Sequence, residues 1–152
     1  MNVPAGVTAD LHDLARFVAA QDDVYETALA ELRAGAKQSH WMWFVFPQIA
    51  GLGRSAMSRR YAIHSVEEAG AYLDHPLLGG RLRTCVAAVL SRLPVAVEAV
   101  FGPVDAIKLN SSMTLFEAVG GEAELFGRCL DAAFGGRRDR ATLRALASPA
   151  AE

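Results

Sequence analysis

Seven consecutive residues, Trp41-Met42-Trp43-Phe44-Val45-Phe46-Pro47, are all apolar, and they hold both tryptophans and four of the chain's twelve aromatic side chains. Such a run has no polar face to turn to water, so whatever it forms must sit inside the fold. It is far too short to cross a bilayer. Periodicity alone does not separate a buried strand from a short helix that is apolar on every side. Ser39 as N-cap and Pro47 as terminator favour the helix, and no second strand-like run offers to pair with it. The rest of the chain must then supply an enclosure for a buried helix.

That enclosure reads as helical nearly throughout. Leu11, Leu14, Phe17 and Val18 recur at helical spacing and predict a first helix from about Thr8 to Ala20, interrupted by Gln21-Asp22-Asp23. Asp23 and Glu26 have capping-box spacing before a second helix, with Val24, Ala28 and Leu32 on one face and Gly35 as its stop. Ile49 to Arg54 is a glycine-punctuated loop, and Ser55 to Ala62 a short helical piece. Ser65-Val66-Glu67-Glu68 is a capping box for a helix to about Asp74. Pro76 sits well at the first position of the longest helix, which runs to Leu93 before Pro94 closes it. Val95 to Phe101 is short and ends at Gly102, and Asp105 is placed to cap a helix that lasts to Gly120-Gly121. Leu125 to Ala133 mark another, and Asp139 caps the last. The expectation is one all-α domain over residues 1–152, with about eight helices, several of them short, a core over about 8–147, and frayed ends at 1–7 and 148–152.

Composition narrows the function classes. With 52% hydrophobic and 21% charged residues the whole chain cannot be disordered. Fifteen basic against seventeen acidic side chains leave a net charge of −2, which gives no global field for nucleic acid or an anionic membrane. Cys85 and Cys129 exclude a disulfide scaffold and a cysteine-only zinc site, and both fall on apolar faces as core residues. His12, His64 and His75 are scattered, with no carboxylate or cysteine at metal-ligand spacing, so neither metal nor cofactor is expected. The N-terminal stretch lacks a basic segment followed by an apolar one, so a cytoplasmic location is expected.

Two segments stand out as candidates for chemistry. Arginine outnumbers lysine 13 to 2, so Lys37 and Lys108 run against the drift of the composition. An ammonium is a compact point charge where a guanidinium is a planar fork. Lys37 and His40 stand just before the aromatic run and Gln48 just after it. With Ser39 and the first amides of the helix, they would edge an aromatic-floored pocket attractive to an anion. In the second segment, Lys108, Ser111 and Ser112 stand at i, i+3 and i+4, so one helix face would present an ammonium and two hydroxyls. The competing explanation for that serine pair is hydrogen bonding to the carbonyls one turn back. Gly51-Leu52-Gly53-Arg54-Ser55 fits no phosphate-loop fingerprint, but would let backbone amides approach a phosphate, with Tyr61 and Arg59 lining the same side.

Phe17-Val18-Ala19-Ala20-Gln21-Asp22, Ser39-His40-Trp41-Met42-Trp43-Phe44-Val45-Phe46-Pro47-Gln48, Gly51-Leu52-Gly53-Arg54-Ser55, Tyr61-Ala62-Ile63 and Lys108-Leu109-Asn110-Ser111-Ser112-Met113-Thr114-Leu115-Phe116 together resemble the bacterial and fungal family called domain of unknown function 1810. The likeness spans roughly Leu11 to Leu146. It implies a mainly helical single domain and supplies no established activity or catalytic residue. Some members carry the label calpastatin, a disordered inhibitor, which does not suit a chain with this much apolar residue.

The functional expectation is a site for a small anionic ligand, nucleotide-like or otherwise phosphorylated. Lys37, Lys108 and Arg54 would bind the anion, and Trp41 or Trp43 would stack on a flat group. Gln48, Tyr61, Ser111 and Ser112 would line the pocket, and His40 would act as general acid or base. The alternative is a non-catalytic protein-interaction module with an exposed apolar patch. The two differ in whether a concave, partly open pocket lies beside Trp43.

Overall fold

The computed structural model describes residues 10–120 and 123–148, which form ten helices. In chain order these are α1 (Ala15–Asp22), α2 (Tyr25–Ala34), α3 (Met42–Val45), α4 (Ala56–Arg60), α5 (Val66–Asp74), α6 (Leu78–Arg92), α7 (Val97–Phe101), α8 (Pro103–Val119), α9 (Ala123–Phe134) and α10 (Arg140–Ala147). The all-α expectation is met: each of the ten helices corresponds to a helical segment read from the sequence, although the total expected was about eight. Of the ends expected to fray, only Ser148 lies within the described residues.

Helix boundaries follow hydrogen-bond supply. The Asp10 carboxylate accepts the N–H groups of Leu14 and Ala15 at 2.7 and 2.8 Å, so α1 starts later than periodicity alone predicts. It continues through Gln21, whose buried amide donates to the Phe44 carbonyl at 2.7 Å and the Tyr72 hydroxyl at 3.0 Å. Val24, not Asp23, takes the N-cap position of α2 and gives no side-chain bond. Gly35 closes α2 in the left-handed conformation at φ 76°, which a residue with a Cβ adopts only under strain. Ser65 and Asp139 cap α5 and α10 as expected, accepting the Glu68 and Thr142 amides at 3.0 and 2.9 Å. Leu77 takes the N-cap position of α6, so Pro76 stands before the helix and not at its first position, and His75 Nδ1 accepts the amides of Leu77 and Leu78 at 3.1 Å.

The most enclosed helix is α8. Ser111 to Phe116 are buried without interruption, between α5, α7, α9 and α10. Over this stretch the helix is buried on all sides and loses the one-sided pattern that marks a surface helix, while its first turns leave Val104 and Ile107 exposed. The aromatic run instead forms a single turn, α3, packed against α1. Its rings join one continuous core: Trp41 meets Phe46 and Phe101 at centroid distances of 6.1 and 6.4 Å, and Phe44 meets Tyr61 edge-on at 5.2 Å. Each such ring, fully buried, contributes about 1.5–3 kcal/mol from apolar burial. Ile49 and Ile63 form a single parallel bridge after α3, through Ala50 N–H to the Ile63 carbonyl and Ile63 N–H to the Gln48 carbonyl, both 2.8 Å. No described helix is long and apolar enough to cross a membrane.

Candidate functional site

The approach to the aromatic turn is organised from α2. Glu31 accepts the backbone N–H groups of Gln38 and Ser39 at 2.9 and 3.0 Å, the Ser39 hydroxyl at 2.6 Å and the Trp41 indole N–H at 2.9 Å. Partial burial opposes its ionisation, but these four donors prevail and hold its pKa down at about 2. Ser39 is therefore committed to Glu31 and caps no helix. Trp41 occupies the N-cap position of α3, with no side-chain cap bond. The backbone of Lys37 is anchored in turn, its N–H donating to the Val100 carbonyl at 2.8 Å.

The two lysines meet at one carboxylate. Asp105, expected to cap α8, lies in its first turn, behind Gly102 as N-cap and Pro103 as first helical residue. Freed from capping, its Oδ2 lies 2.8 Å from Lys37 Nζ and its Oδ1 3.6 Å from Lys108 Nζ. Lys37 Nζ also donates to the Ser39 carbonyl and lies 4.9 Å from the Trp41 ring centre, while Lys108 Nζ lies 5.1 Å from that of Trp43. Each ammonium thus covers one indole, and the pair exceeds the shared carboxylate by one positive charge. The Lys37 side chain is 6% exposed and fully engaged, whereas that of Lys108 is 24% exposed. Between them opens a cleft of about 300 Å³, whose walls include His40, Trp43, Phe101, Asp105 and Lys108.

Trp43, half-buried, also lines a second, smaller cavity of about 100 Å³. Its other walls come from Gln48, the glycine loop over residues 51–53, Arg59, Tyr61 and His64. The Ile49–Ile63 bridge holds this loop against the end of α4. Neither an acidic side chain nor a cysteine lines this cavity, and the described residues contain no cluster of three or more His, Cys, Asp or Glu suited to a metal ion.

The expected site residues are divided by this geometry. Lys37, His40, Trp43 and Lys108 come together at the larger cleft, while Gln48 and Tyr61 join Trp43 at the smaller one. Trp41 is wholly buried, with its N–H on Glu31, so it holds the loop and is no platform for a ligand. Ser111 and Ser112 face the core. The first donates to the Ile107 carbonyl one turn back at 3.2 Å, and the second finds no hydrogen-bond partner among the described residues. The ammonium-and-hydroxyl face predicted for α8 is therefore not a ligand surface, because packing on every side of the helix claims the serines. Arg54 is exposed on the glycine loop and lines neither cavity. Sequence reasoning missed Glu31, Asp105 as the lysine partner and His64 as a wall of the smaller cavity, whereas Arg59 and Tyr61 do line the same side, as expected. Only Asp105 left a readable signal, its i, i+3 spacing to Lys108.

Cys85 and Cys129 are buried, which pushes both thiols up to about 12, as befits core residues.

A mainly helical protein in which two of the cavities share the Trp43 side chain as a wall is the class that fold and site define. The chain belongs to the family described as Protein of unknown function (DUF1810), whose model matches residues 11–146. Among solved structures it is similar to the conserved hypothetical protein Rv1873 from Mycobacterium tuberculosis, at 49% sequence identity and a TM-score of 0.90, over 92% of this chain and 100% of that one. No curated protein matches it.

Proposed function

We propose that the cleft between α8 and the aromatic turn binds a small anionic ligand, of the phosphorylated or nucleotide-like kind. The observation that carries this is the sharing of Asp105 by Lys37 and Lys108, which leaves Lys108 only loosely paired, at 3.6 Å, beside the Trp43 ring in a concave space. Lys37 and Asp105 set the geometry, and Lys108, the more exposed ammonium, makes the contact with the anion. Trp43 supplies an apolar wall for the remainder of the ligand. His40 is exposed at the rim and is the imidazole placed to exchange a proton with whatever is held there.

A second reading, a protein-interaction module, draws on Val104 and Ile107, each 65% exposed and one turn apart on α8. Concavity and charge favour the first. The experiment is a thermal-shift screen of phosphate, sugar phosphates, nucleotides and ADP-ribose, repeated on Lys108→Gln and His40→Ala. A ligand at a hundred times its Kd stabilises by about 2.7 kcal/mol. A melting temperature raised in the wild type and unmoved in Lys108→Gln supports the cleft, whereas no shift across the panel rejects it in favour of the interaction surface.

A further inference from the structure

The two cavities are joined by one side chain and share one electrostatic character. Trp43 lines both, with Lys108 over its ring on the side of the larger cleft and the glycine loop bounding the smaller. The smaller cavity is lined by Arg59, His64, Gln48 and Ser58, with no acidic residue in its wall. A guanidinium with hydroxyl and amide donors is the set that recognises phosphate or carboxylate oxygens. In a chain of net charge −2, two recesses that each hold a cationic side chain and share Trp43 as a wall are a local reversal of the overall balance. About 100 Å³ admits a single anionic group and little else, while about 300 Å³ admits an anionic group together with part of its carrier.

We infer that the two cavities are halves of one site, and that its ligand is a bis-anionic compound of the sugar or nucleoside bisphosphate class, one anion against Lys108 and the other against Arg59, with the connecting moiety passing the edge of Trp43. This rests on the anion-binding reading of the Lys108 cleft and adds the second anchor. Neither recess alone would bind tightly, since each offers a partly exposed cation screened by water and salt. Joined through one ligand, the second contact forms at the effective concentration set by the first, so affinity rises without any new kind of interaction. Gln48 and Tyr61 then find their place at the second anchor rather than the first.

The test compares matched ligands by calorimetry: inorganic phosphate, fructose monophosphate against fructose bisphosphate, and AMP against adenosine bisphosphate. They are titrated into the wild type, Lys108→Gln and Arg59→Ala, with circular dichroism confirming that each variant is folded. Arg59 is exposed at the end of α4, so its removal leaves the core intact. The expected result is a bisphosphate bound about tenfold or more tighter than its monophosphate. Arg59→Ala then brings the bisphosphate down to the affinity of its monophosphate, and Lys108→Gln weakens both. Equal affinities for the two members of each pair, both weakened by Lys108→Gln, would overturn the two-anchor site and keep the single-anion cleft. Absence of binding by every compound would overturn both.

Discussion

The Glu31 carboxylate accepts the Trp41 indole N–H at 2.9 Å, tying α2 to a fully buried ring of the aromatic run. With three further donors on the same carboxylate, this bond fixes the loop that presents Lys37 and His40. The cleft therefore depends on a residue outside its walls.

Glu31 makes stability dependent on acid. Its folded pKa of about 2 lies below the ordinary 4.5, so its contribution is complete above pH 4.5 and is lost as the pH falls from there toward 2. Glu31→Gln should lower stability at neutral pH by about 2 kcal/mol, a figure discounted for its partial exposure. Urea unfolding at pH 7 and pH 3 tests this: the difference between the two proteins should shrink at the lower pH.

Lys37 and Lys108 should separate in a double-mutant cycle with Asp105. Lys37→Met removes the close, buried partner and should cost about 2–3 kcal/mol, much of it recovered in the double variant with Asp105→Asn. Lys108→Gln, with its longer and more exposed pair, should cost under about 1 kcal/mol. Equal costs for the two would contradict the division into a structural and a ligand-facing lysine.

Ser112 is fully buried with an unpaired hydroxyl among the described residues. Ser112→Ala removes an unsatisfied polar group and should raise stability by about 1 kcal/mol. Ser111→Ala, whose hydroxyl already bonds the Ile107 carbonyl, should be close to neutral. Thermal melts of both variants decide it, and if either serine contacted a ligand its alanine variant would instead lose binding.

Gly79 marks a close crossing of α6 over the end of α5. A Cβ there would lie 2.0 Å from the Leu73 carbonyl oxygen and 2.9 Å from its carbon, and these are backbone atoms that cannot swing aside. Gly79→Ala should therefore destabilise by about 3 kcal/mol. Gly80→Ala, whose Cβ meets nothing within 4 Å, should stabilise by up to about 1 kcal/mol, both read from urea midpoints.

The fold class was legible because helical periodicity, Ser65 and Asp139 caps and the Gly35 stop are local, short-range features of the chain. The all-apolar run Trp41–Pro47 was legible as a buried short helix, and α3 is one. What periodicity did not show is that α8 carries polar Ser111, Ser112 and Thr114 into an equally closed core. Half of the candidate site was legible in the same way: two rare lysines, a histidine and a tryptophan do gather at one cleft. Their partners were not. Glu31 sits seventy-four residues before Asp105, yet the two together fix Lys37 and its loop, through contacts made only when α2, α7 and α8 pack. By itself, then, the sequence determined the helices and the residue types brought to the site, since backbone hydrogen bonding and side-chain pattern act over a few residues. Only the tertiary structure decided which lysine is buried in an ion pair, which indole faces a cavity and which hydroxyls are sealed in the core, because burial and charge pairing depend on neighbours distant in the chain.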